Sequence, residues 1–427
     1  MWASAPARLD VMGGIADYSG SLVLEYPLAR RAHVMVASRK DRLVRIGTTA
    51  SDLAGIPLAI HRLADLGAKS SGDYASICNY FNEHPQTKWS SLLAGAISVL
   101  GAEKKLHLEN GLDIFVHTDI PLGAGVSSSA AVEVAVLRAL GQMAGLEASP
   151  EETARLGQCI ENHIAGAPCG IMDQMTSAAG REGQLLKLRC DPCTVEGFVE
   201  TPPGAVFLGV DSGVKHSVGG LPYRRTRTGT FMAKAILLAR GLLSPGDTLC
   251  SLDPIVFRQI SSLLPKAMTG SEFLAMGLEY PDSATHPEPD IAYYPRAAAE
   301  HAVLENRRVQ EFASLIENPR SEASLKQAGR LMHASHWSYS QRAYLGSHET
   351  DLIVKRLRSK GLDIGVLGAK ITGGGCGGTV AVMGLGDPEE LARLVEKEIS
   401  DIPGIRPQII QGSSPGAYDT EVKTIVF

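Results

Sequence analysis

Short apolar or alternating runs along the chain predict strands, and longer stretches with apolar residues three or four positions apart predict helices. The predicted strands lie at 32–37, 43–46, 113–120, 205–210, 365–371, 379–383 and 422–427. The predicted helices lie at 127–145, 151–165, 228–240, 296–314, 321–334 and 349–360, and a Pro-, Ser- and Asp-rich stretch at 245–295 predicts loops and short helices. Because strands and helices are mixed without regular alternation, the pattern favours an α+β fold over a doubly wound sheet.

Length, charge and composition narrow the class of protein. A chain of 427 residues is longer than one hydrophobic core usually supports, which predicts more than one domain. A shift in composition near 195–205 divides the chain into predicted domains at 1–200 and 201–427. The net charge of −5 and an aromatic content of 5% argue against a nucleic-acid partner.

The chain also lacks the sequence features of secretion and membrane insertion. Its first seventeen residues carry Arg8, Asp10 and Asp17 in a strand-like pattern, whereas a signal peptide has a basic start and an apolar run. No apolar stretch reaches the roughly eighteen residues of a membrane span. Seven scattered cysteines form no disulfide framework. We therefore expect a cytoplasmic protein with free thiols and no membrane partner, either a monomer or a homodimer.

Glycine is the composition's main departure from the average. The chain has 45 glycines, about fifteen more than the usual 7% would give. Eleven of them lie in three segments, at residues 6–24, 121–131 and 368–380. These segments are the first places to look for a site where backbone approaches a ligand closely.

The second segment has the features of a phosphate-binding loop. Gly123 and Gly125 follow a predicted strand, and Ser127, Ser128 and Ser129 open the next helix. Glycines let backbone N–H groups approach an anion, and a helix N-terminus adds partial positive charge. Serine hydroxyls can donate to phosphate or ligate Mg²⁺. The segment matches neither a Walker A loop nor a nucleophile elbow. The alternative is an ordinary core helix with a serine cap.

The third segment superficially resembles a dinucleotide fingerprint. Gly373, Gly375 and Gly378 have the spacing G-x-G-x-x-G, but a strand follows them where the fingerprint needs a helix. We therefore interpret Gly373, Gly374 and Gly375 as a structural loop that lets another backbone or a ligand come close. The alternative is a simple hairpin turn.

Three other clusters have ordinary explanations. Cys190 and Cys193 form a lone C-x-x-C, which we interpret as a coincidence in a loop and not as a zinc or redox site. His333 and His336 form an H-x-x-H, which we interpret as structural because no third metal ligand is evident. The arginines at 224, 225 and 227 are explained nearly as well by an exposed helix start as by phosphate binding.

Taken together and in this order, the three glycine segments resemble the GHMP kinase superfamily, its galactokinase branch and, within that branch, the L-arabinokinases. The residues that match the family's first motif are Pro6, Arg8, Gly13, Asp17, Tyr18 and Gly20. Residues 169–175 (CGIMDQM) resemble the segment that carries the catalytic Asp, residues 211–224 the following sugar-contacting stretch, and residues 412–417 (GSSPGA) an arabinokinase-like tail.

The resemblance implies a fold and an activity. The expected fold has an N-terminal domain like domain 2 of ribosomal protein S5 and a ferredoxin-like C-terminal domain, both α+β, with ATP and substrate between them. The expected activity is ATP- and Mg²⁺-dependent phosphorylation of the anomeric hydroxyl of a monosaccharide, with L-arabinose first. The alternatives are galactose or another hexose, a uronate, or a catalytically silent sensor of sugar and ATP.

The resemblance also assigns site residues. Asp173 matches the base, and Arg8 the cation beside it. Glu161 and Ser129 match the magnesium ligands, although Ser127 or Ser128 could replace Ser129. The remaining matches are sugar contacts at Asp17, Tyr223 and Gly170, and an aromatic near the nucleotide at Trp89.

Two positions depart from the family's pattern. Ala7 replaces a glycine, which leaves Arg8 available. Gly14 and Ile15 stand where galactokinases have Glu and His, residues that help hold the sugar's C6 end. L-arabinose is a pentose with the ring stereochemistry of galactose but without the C6 group. In this pocket the C6 hydroxyl of galactose would be buried without a partner, at a cost of about 1–3 kcal/mol. We therefore expect the protein to prefer L-arabinose over galactose by roughly one to two orders of magnitude.

Overall fold

The computed structural model describes residues 1–49, 58–67, 74–215, 220–319 and 321–425. Part of the predicted sugar-contacting stretch, residues 216–219, lies outside the described residues. The strands are β1 (Trp2–Met12), β2 (Leu22–Ser38), β3 (Leu43–Thr48), β4 (Ala59–Arg62), β5 (Leu112–Thr118), β6 (Gln184–Cys190), β7 (Cys193–Glu200), β8 (Ala205–Asp211), β9 (Met268–Thr269), β10 (Ala292–Tyr293), β11 (Val366–Ile371), β12 (Thr379–Leu385) and β13 (Gln408–Ile410). The helices are α1 (Ala75–Glu83), α2 (Ser91–Lys104), α3 (Ser128–Ala144), α4 (Pro150–Cys159), α5 (Met172–Ala179), α6 (Leu221–Ala239), α7 (Pro254–Ile260), α8 (Gly270–Leu274), α9 (Pro295–Glu317), α10 (Glu322–Gln341), α11 (His348–Lys360) and α12 (Pro388–Ser400).

Two larger sheets organise these elements. The first has seven strands in the order β4-β3-β5-β2-β6-β7, with β1 paired to β2. Its pairs are antiparallel except for β3 with β5. The second has four antiparallel strands in the order β11-β12-β8-β13. Helices α2 and α3 contribute to the main core with the first sheet, and α11 and α12 pack on the second. This arrangement confirms the predicted α+β class.

Local sequence signals set the limits of several helices. Ser149 caps α4 by accepting a hydrogen bond from the N–H of Glu152 at 3.1 Å, and Pro150 occupies the first turn. Helix α3 ends at Gly145, whose φ of 65° is the left-handed conformation typical of a helix C-terminus. Asp387 caps α12 in the same way as Ser149 caps α4.

The predicted strands at 32–37, 43–46, 113–120, 205–210, 365–371 and 379–383 are confirmed with small shifts of their ends, as are all six predicted helices. A π-helical turn, Ile160–Ala165, continues α4. The prediction of a strand at 422–427 is wrong for residues 422–425, which carry a single bridge from Lys423 to Trp2; residues 426–427 lie outside the described residues.

The end of the chain returns to the first sheet. The hydroxyls of Ser413 and Ser414 donate to the carbonyls of Pro27 and Leu28 at 2.7 and 2.8 Å. The strands of the first sheet come before residue 201 and those of the second sheet after it. The segment with Ser413 and Ser414 nevertheless packs against β2 of the first sheet.

A buried ion pair connects the two sheets. Lys370 of β11 donates from Nζ to Asp10 Oδ2 of β1 at 2.7 Å, and both side chains have no exposed surface. The hydroxyl of Tyr339 and the N–H of Gly373 also donate to Asp10 Oδ2, at 3.3 and 3.1 Å. Because these three donors to Oδ2 all come from the C-terminal half of the chain, Asp10 holds β1 against that half.

We expect Lys370→Met to lower the free energy of unfolding by about 3–5 kcal/mol, because it leaves the carboxylate of Asp10 buried without its cation. Lys104→Met is the matched control, since Lys104 pairs with the 44%-exposed carboxylate of Glu152 and its loss should cost less than about 1 kcal/mol. Urea unfolding of both variants measures the difference. Equal effects would show that the Asp10–Lys370 pair contributes no more than a surface pair.

Candidate active site

A cavity of about 300 Å³ lies where β1, the glycine–serine loop before α3 and the first turn of α5 meet. The predicted site residues that line it are Arg8, Ile15, Asp17, Gly123, Gly125, Ser127, Ser128, Ser129, Glu161, Gly170, Asp173, Tyr223 and Gly374. Segments that are far apart in the sequence therefore come together around one cavity.

Arg8 and Asp173 form a close ion pair at this cavity. The Nε of Arg8 donates to Asp173 Oδ1 at 2.8 Å, and its Nη2 lies 2.8 Å from the same oxygen. Asp173 stands in the first turn of α5, where the helix dipole favours a negative charge. The hydroxyl of Ser127 donates to the other oxygen, Oδ2. The carboxylate of Asp173 is thus held on both sides while 17% of its side chain stays exposed.

A second carboxylate lies behind Arg8. Glu25 Oε2 is 3.3 Å from Arg8 Nε, and neither side chain is more than 3% exposed. Burial would lower the pKa of Arg8, but Asp173 and Glu25 outweigh it and raise that pKa above its ordinary value. Burial raises the pKa of Glu25 well above its usual range. Arg8 therefore remains charged beside Asp173.

Asp17 presents a carboxylate with spare hydrogen-bonding capacity to the cavity. It lies in a buried turn, and its Oδ1 has no hydrogen-bond partner within the part of the chain that the structure describes. Burial raises the pKa of Asp17 to about 6. Asp17 packs directly against Gly170, and only glycine fits there because a Cβ at position 170 would overlap the carboxylate. A buried acceptor without a partner is suited to a ligand hydroxyl.

The glycine–serine loop is fixed by contacts from both sheets. Arg8 Nη1 donates to the carbonyl of Gly125 at 2.9 Å, and the hydroxyl of Thr379 donates to that of Ala124 at 2.7 Å. Gly123 and Gly125 have φ of 76° and 74°, which favour glycine. The loop leads into α3, whose first residues line the cavity. The N–H groups of the first turn of α3, which have no partner within the helix, are therefore at the cavity.

The third glycine segment contacts this loop. A Cβ at Gly373 would lie 2.9 Å from the carbonyl oxygen of Gly125, and the φ of Gly373 is 62°. Gly374 lines the cavity, and Gly375, with φ of 76°, packs against Leu345. The predicted close approach of another backbone is therefore present, and it brings the C-terminal half to the edge of the cavity.

Glu161 and Ser129 lie together at the cavity. Glu161 is buried in the π-helical turn, a type of irregularity that is common at functional sites. Burial raises the pKa of Glu161 to about 7, while the Ser129 side chain opposes this shift through a hydrogen bond. A hydroxyl and a carboxylate are the oxygen ligands that Mg²⁺ prefers. Proteins usually hold Mg²⁺ with one or two oxygen ligands together with substrate phosphates and waters, and this pair of side chains fits that pattern.

Gln174 connects Glu161 with a deeper carboxylate. Its Nε2 donates to Glu161 Oε2 at 2.8 Å and to Glu133 Oε2 at 3.0 Å, and Gln174 and Glu133 have no exposed surface. Burial raises the pKa of Glu133 well above its usual range. The amide of Gln174 thus orients Glu161 from behind.

Gly14 does not line the cavity, so the prediction that it contributes to the substrate pocket is not supported by the geometry. A Cβ at this position would overlap the Tyr339 hydroxyl and the Asp10 carboxylate, and the Gly14 N–H donates to Asp10 Oδ1 at 3.1 Å. Glycine is therefore required at position 14 because Tyr339 and Asp10 occupy the space that a side chain would need. Ile15 does line the cavity, with an unusual φ of 34° for a β-branched residue.

Trp89 lies outside the lining of this cavity. It stands in the short helix Pro85–Ser90 and packs against the main core. A role beside the nucleotide stays a prediction.

Aromatic and cationic side chains pack around Tyr223, which lines the cavity. The rings of Tyr18 and Tyr223 meet edge to face with centroids 6.1 Å apart. Of the two alternatives for Arg227, the exposed helix start is wrong: Arg227 is buried and donates to Asp282 at 2.9 and 3.0 Å. Its Nη1 donates to the carbonyl of Cys169 at 3.0 Å, so it supports the backbone beside Gly170.

Sequence reasoning missed five residues that arrange the site: Asp10, Glu25, Glu133, Gln174 and Arg227. A charged residue at alternate positions of a buried strand, as at Arg8 and Asp10, is a signal that could have identified Asp10. Gln174 adjoins the predicted base, and Glu133 stands four residues after Ser129 on the same helix.

Comparisons with known proteins bear on the family and the fold of the chain. A family model described as the GHMP kinases N terminal domain matches residues 91–181, and one described as GHMP kinases C terminal matches residues 313–401. The chain carries both domains of the GHMP kinases and has their fold. The predicted resemblance and the predicted two-domain fold are thereby confirmed.

Several relatives can be named for this GHMP kinase chain. The L-arabinokinase of Arabidopsis thaliana is 36% identical over 475 residues, covering 97% of this chain and 46% of its own length. The chain thus spans about half the length of that relative. The structure of Lactococcus lactis galactokinase complexed with galactose has a TM-score of 0.77 at 20% identity, covering 97% of this chain and 94% of that one. Methanococcus jannaschii mevalonate kinase has a TM-score of 0.57 at 16% identity, covering 97% and 98%.

We expect Gln174→Glu to destabilise this GHMP kinase chain increasingly as pH rises. A third buried carboxyl beside Glu133 and Glu161 holds its proton in the folded state, whereas in the unfolded state it ionises above about pH 4.3. Folding then takes up a proton, so the stability difference from the wild type grows by up to about 1.4 kcal/mol per pH unit above that value.

Urea unfolding at pH 5 and pH 8 measures this dependence. Gln142→Glu, on the exposed face of α3, is the control and should show almost none. A Gln174→Glu variant whose stability follows the wild type at both pH values would contradict the described contact.

Proposed function

We propose that the chain is an ATP-dependent sugar kinase that phosphorylates the anomeric hydroxyl of a monosaccharide, with L-arabinose as its substrate. The observation that carries the proposal is the Asp173 carboxylate, held by Arg8 and Ser127 and facing a cavity beside the N-terminus of α3. The 36% identity to a relative named L-arabinokinase supports the same activity.

The geometry suits phosphoryl transfer. Phosphoryl transfer needs positioned reactants and stabilised charge more than covalent help from the protein. Asp173 orients the anomeric hydroxyl and takes its proton as the sugar oxygen bonds to the γ-phosphorus and ADP leaves. Arg8 holds the carboxylate of Asp173 in place through an ion pair and faces the negative charge on the transferred group.

The glycine–serine loop and the first turn of α3 supply the groups for the ATP phosphates. Gly123 and Gly125 leave the backbone accessible, and the helix N-terminus favours an anion. Mg²⁺, held by Ser129 and Glu161, would neutralise phosphate charge when bound. Gln174 keeps Glu161 directed toward that position.

The choice of a pentose rests on Ile15. Ile15 lines the cavity, is 2% exposed and packs in a cluster with Tyr223, Tyr339 and Leu345. An apolar wall offers no partner to the C6 hydroxyl of galactose, and L-arabinose lacks that group. Asp17, with its free oxygen, is the acceptor for a ring hydroxyl.

Other properties of the chain are compatible with an enzyme of small-molecule metabolism. All seven cysteines are free thiols, which supports the proposed cytoplasmic location. In the described ranges, no helix combines the length and the apolar composition that a membrane crossing needs.

The test is ADP release with MgATP against L-arabinose, D-galactose, D-glucuronate and L-fucose. We expect kcat/KM for L-arabinose to exceed that for galactose by roughly 10- to 100-fold. Asp173→Asn should lower kcat by about 10²- to 10⁴-fold, because the proton then has no base.

The exposed Asp290→Asn is the matched control and should retain the activity of the wild type. Activity that survives in Asp173→Asn would contradict the assigned base. Comparable kcat/KM values for arabinose and galactose would contradict the role given to Ile15. A folded wild type that releases no ADP with any of the sugars would favour the silent sensor.

A further inference from the structure

A second cavity, of about 380 Å³, lies on the helical surface formed by α9, α10 and α11. Four arginines line it, and none of them lines the active-site cavity. They are Arg308 of α9, Arg330 of α10, Arg342 just after α10, and Arg358 of α11. We refer to these four residues and the space between them as the arginine groove.

The groove is built by helix geometry. Arg330, His333 and Trp337 are spaced three and four residues apart on α10, which places them on one face of that helix. Arg308 reaches the same space from α9, and Arg358 reaches it from α11. The arginines therefore converge from three helices, in contrast to a basic run along one exposed helix.

The positive charge of the groove is only partly neutralised. Arg308 pairs with Glu305 at 2.8 Å, and Arg342 pairs with Glu300 at 2.9 Å. Arg330 donates to the neutral amide oxygen of Gln327 at 3.3 Å. Across residues 1–49, 58–67, 74–215, 220–319 and 321–425, no carboxylate pairs with Arg330 or Arg358. Two like charges thus face one cavity in a chain whose net charge is −5.

Arg308 also has unused hydrogen-bonding capacity. Its side chain is 13% exposed, and its Nε donates to Glu305 at 2.8 Å. Its Nη2 is buried without a hydrogen-bond partner among the described residues. A buried guanidinium nitrogen without an acceptor is uncommon in proteins, and the planar set of donors of an arginine matches the oxygens of a phosphate.

Two other residues complete the groove. Burial lowers the pKa of His333 to about 4, so its ring is neutral near pH 7 and the positive charge comes from the arginines alone. Trp337 is 52% exposed, and the guanidinium of Arg342 lies 4.5 Å from the centre of its ring. A large exposed indole beside a cationic cavity offers a flat apolar surface to a ligand.

We propose that the arginine groove is a second anion site, which binds a small phosphorylated molecule outside the active site. The groove's volume of about 380 Å³ suits a small ligand, and the net negative charge of the chain disfavours a nucleic acid. A nucleotide and a sugar phosphate share the chemistry that the groove would recognise. The site does not depend on the proposed kinase activity.

Binding of inorganic pyrophosphate to the full chain tests the proposal. The titration is made without Mg²⁺ and at constant ionic strength, followed by calorimetry and by tryptophan fluorescence. We expect a saturable fluorescence change in the wild type, and at least a tenfold weaker affinity for that transition in Arg330→Gln/Arg358→Gln. Trp337→Phe should lose the optical change and keep the calorimetric binding.

The matched control is Arg307→Gln/Arg393→Gln, which removes the same charge from exposed positions outside the groove. It should bind pyrophosphate within twofold of the wild type. Competition by ADP or by glucose 1-phosphate would support the site and assign the source of the phosphate. No saturable change in the wild type, or equal weakening in both double variants, would overturn the proposal.

Discussion

The buried contact between Asp10 and Lys370 is the constraint on which the rest of the site depends. Asp10 Oδ2 receives Lys370 Nζ at 2.7 Å, and its Oδ1 receives the N–H of Gly14 at 3.1 Å. The N–H of Gly373 donates to the same carboxylate at 3.1 Å. One side chain therefore fixes the loop after β1, the third glycine segment and the strand β11. Separating this buried carboxylate from its partners would cost free energy, so the loop, the glycine segment and β11 keep their relative positions.

The reactive end of the site follows from the same strand. Arg8 stands two residues before Asp10 on β1, and β1 has irregular pairing on both sides of this stretch. Irregular pairing redirects side chains near active sites. Arg8 can thus reach Asp173 and the carbonyl of Gly125, while Asp10 faces Lys370. Strand β1 thus supplies the guanidinium of Arg8 to the cavity, and the loop before α3 supplies the backbone that would bind an anion.

Much of this could be predicted from the sequence because the chemistry is local. The glycine segments and the first turn of α3 are each signalled by residues that stand next to one another, whereas Asp173 is assigned through the resemblance of residues 169–175 to a known family. The contact of Asp10 with Lys370 spans 360 residues, and no local pattern predicts it. The space that a Cβ at Gly14 would need is occupied by the Tyr339 hydroxyl, from a residue that is also far away in the sequence. Helix α2 was missed because nearly all of its faces are buried, which removes the amphipathic period.

The central claim is that Asp173, with Arg8, directs phosphoryl transfer to the anomeric oxygen of a pentose. Phosphorus–proton correlation NMR on the product formed from L-arabinose and MgATP tests this directly. The account predicts one new sugar phosphate whose phosphorus couples to the anomeric proton. Coupling to protons at another carbon, or the absence of any sugar phosphate from folded protein, would contradict it.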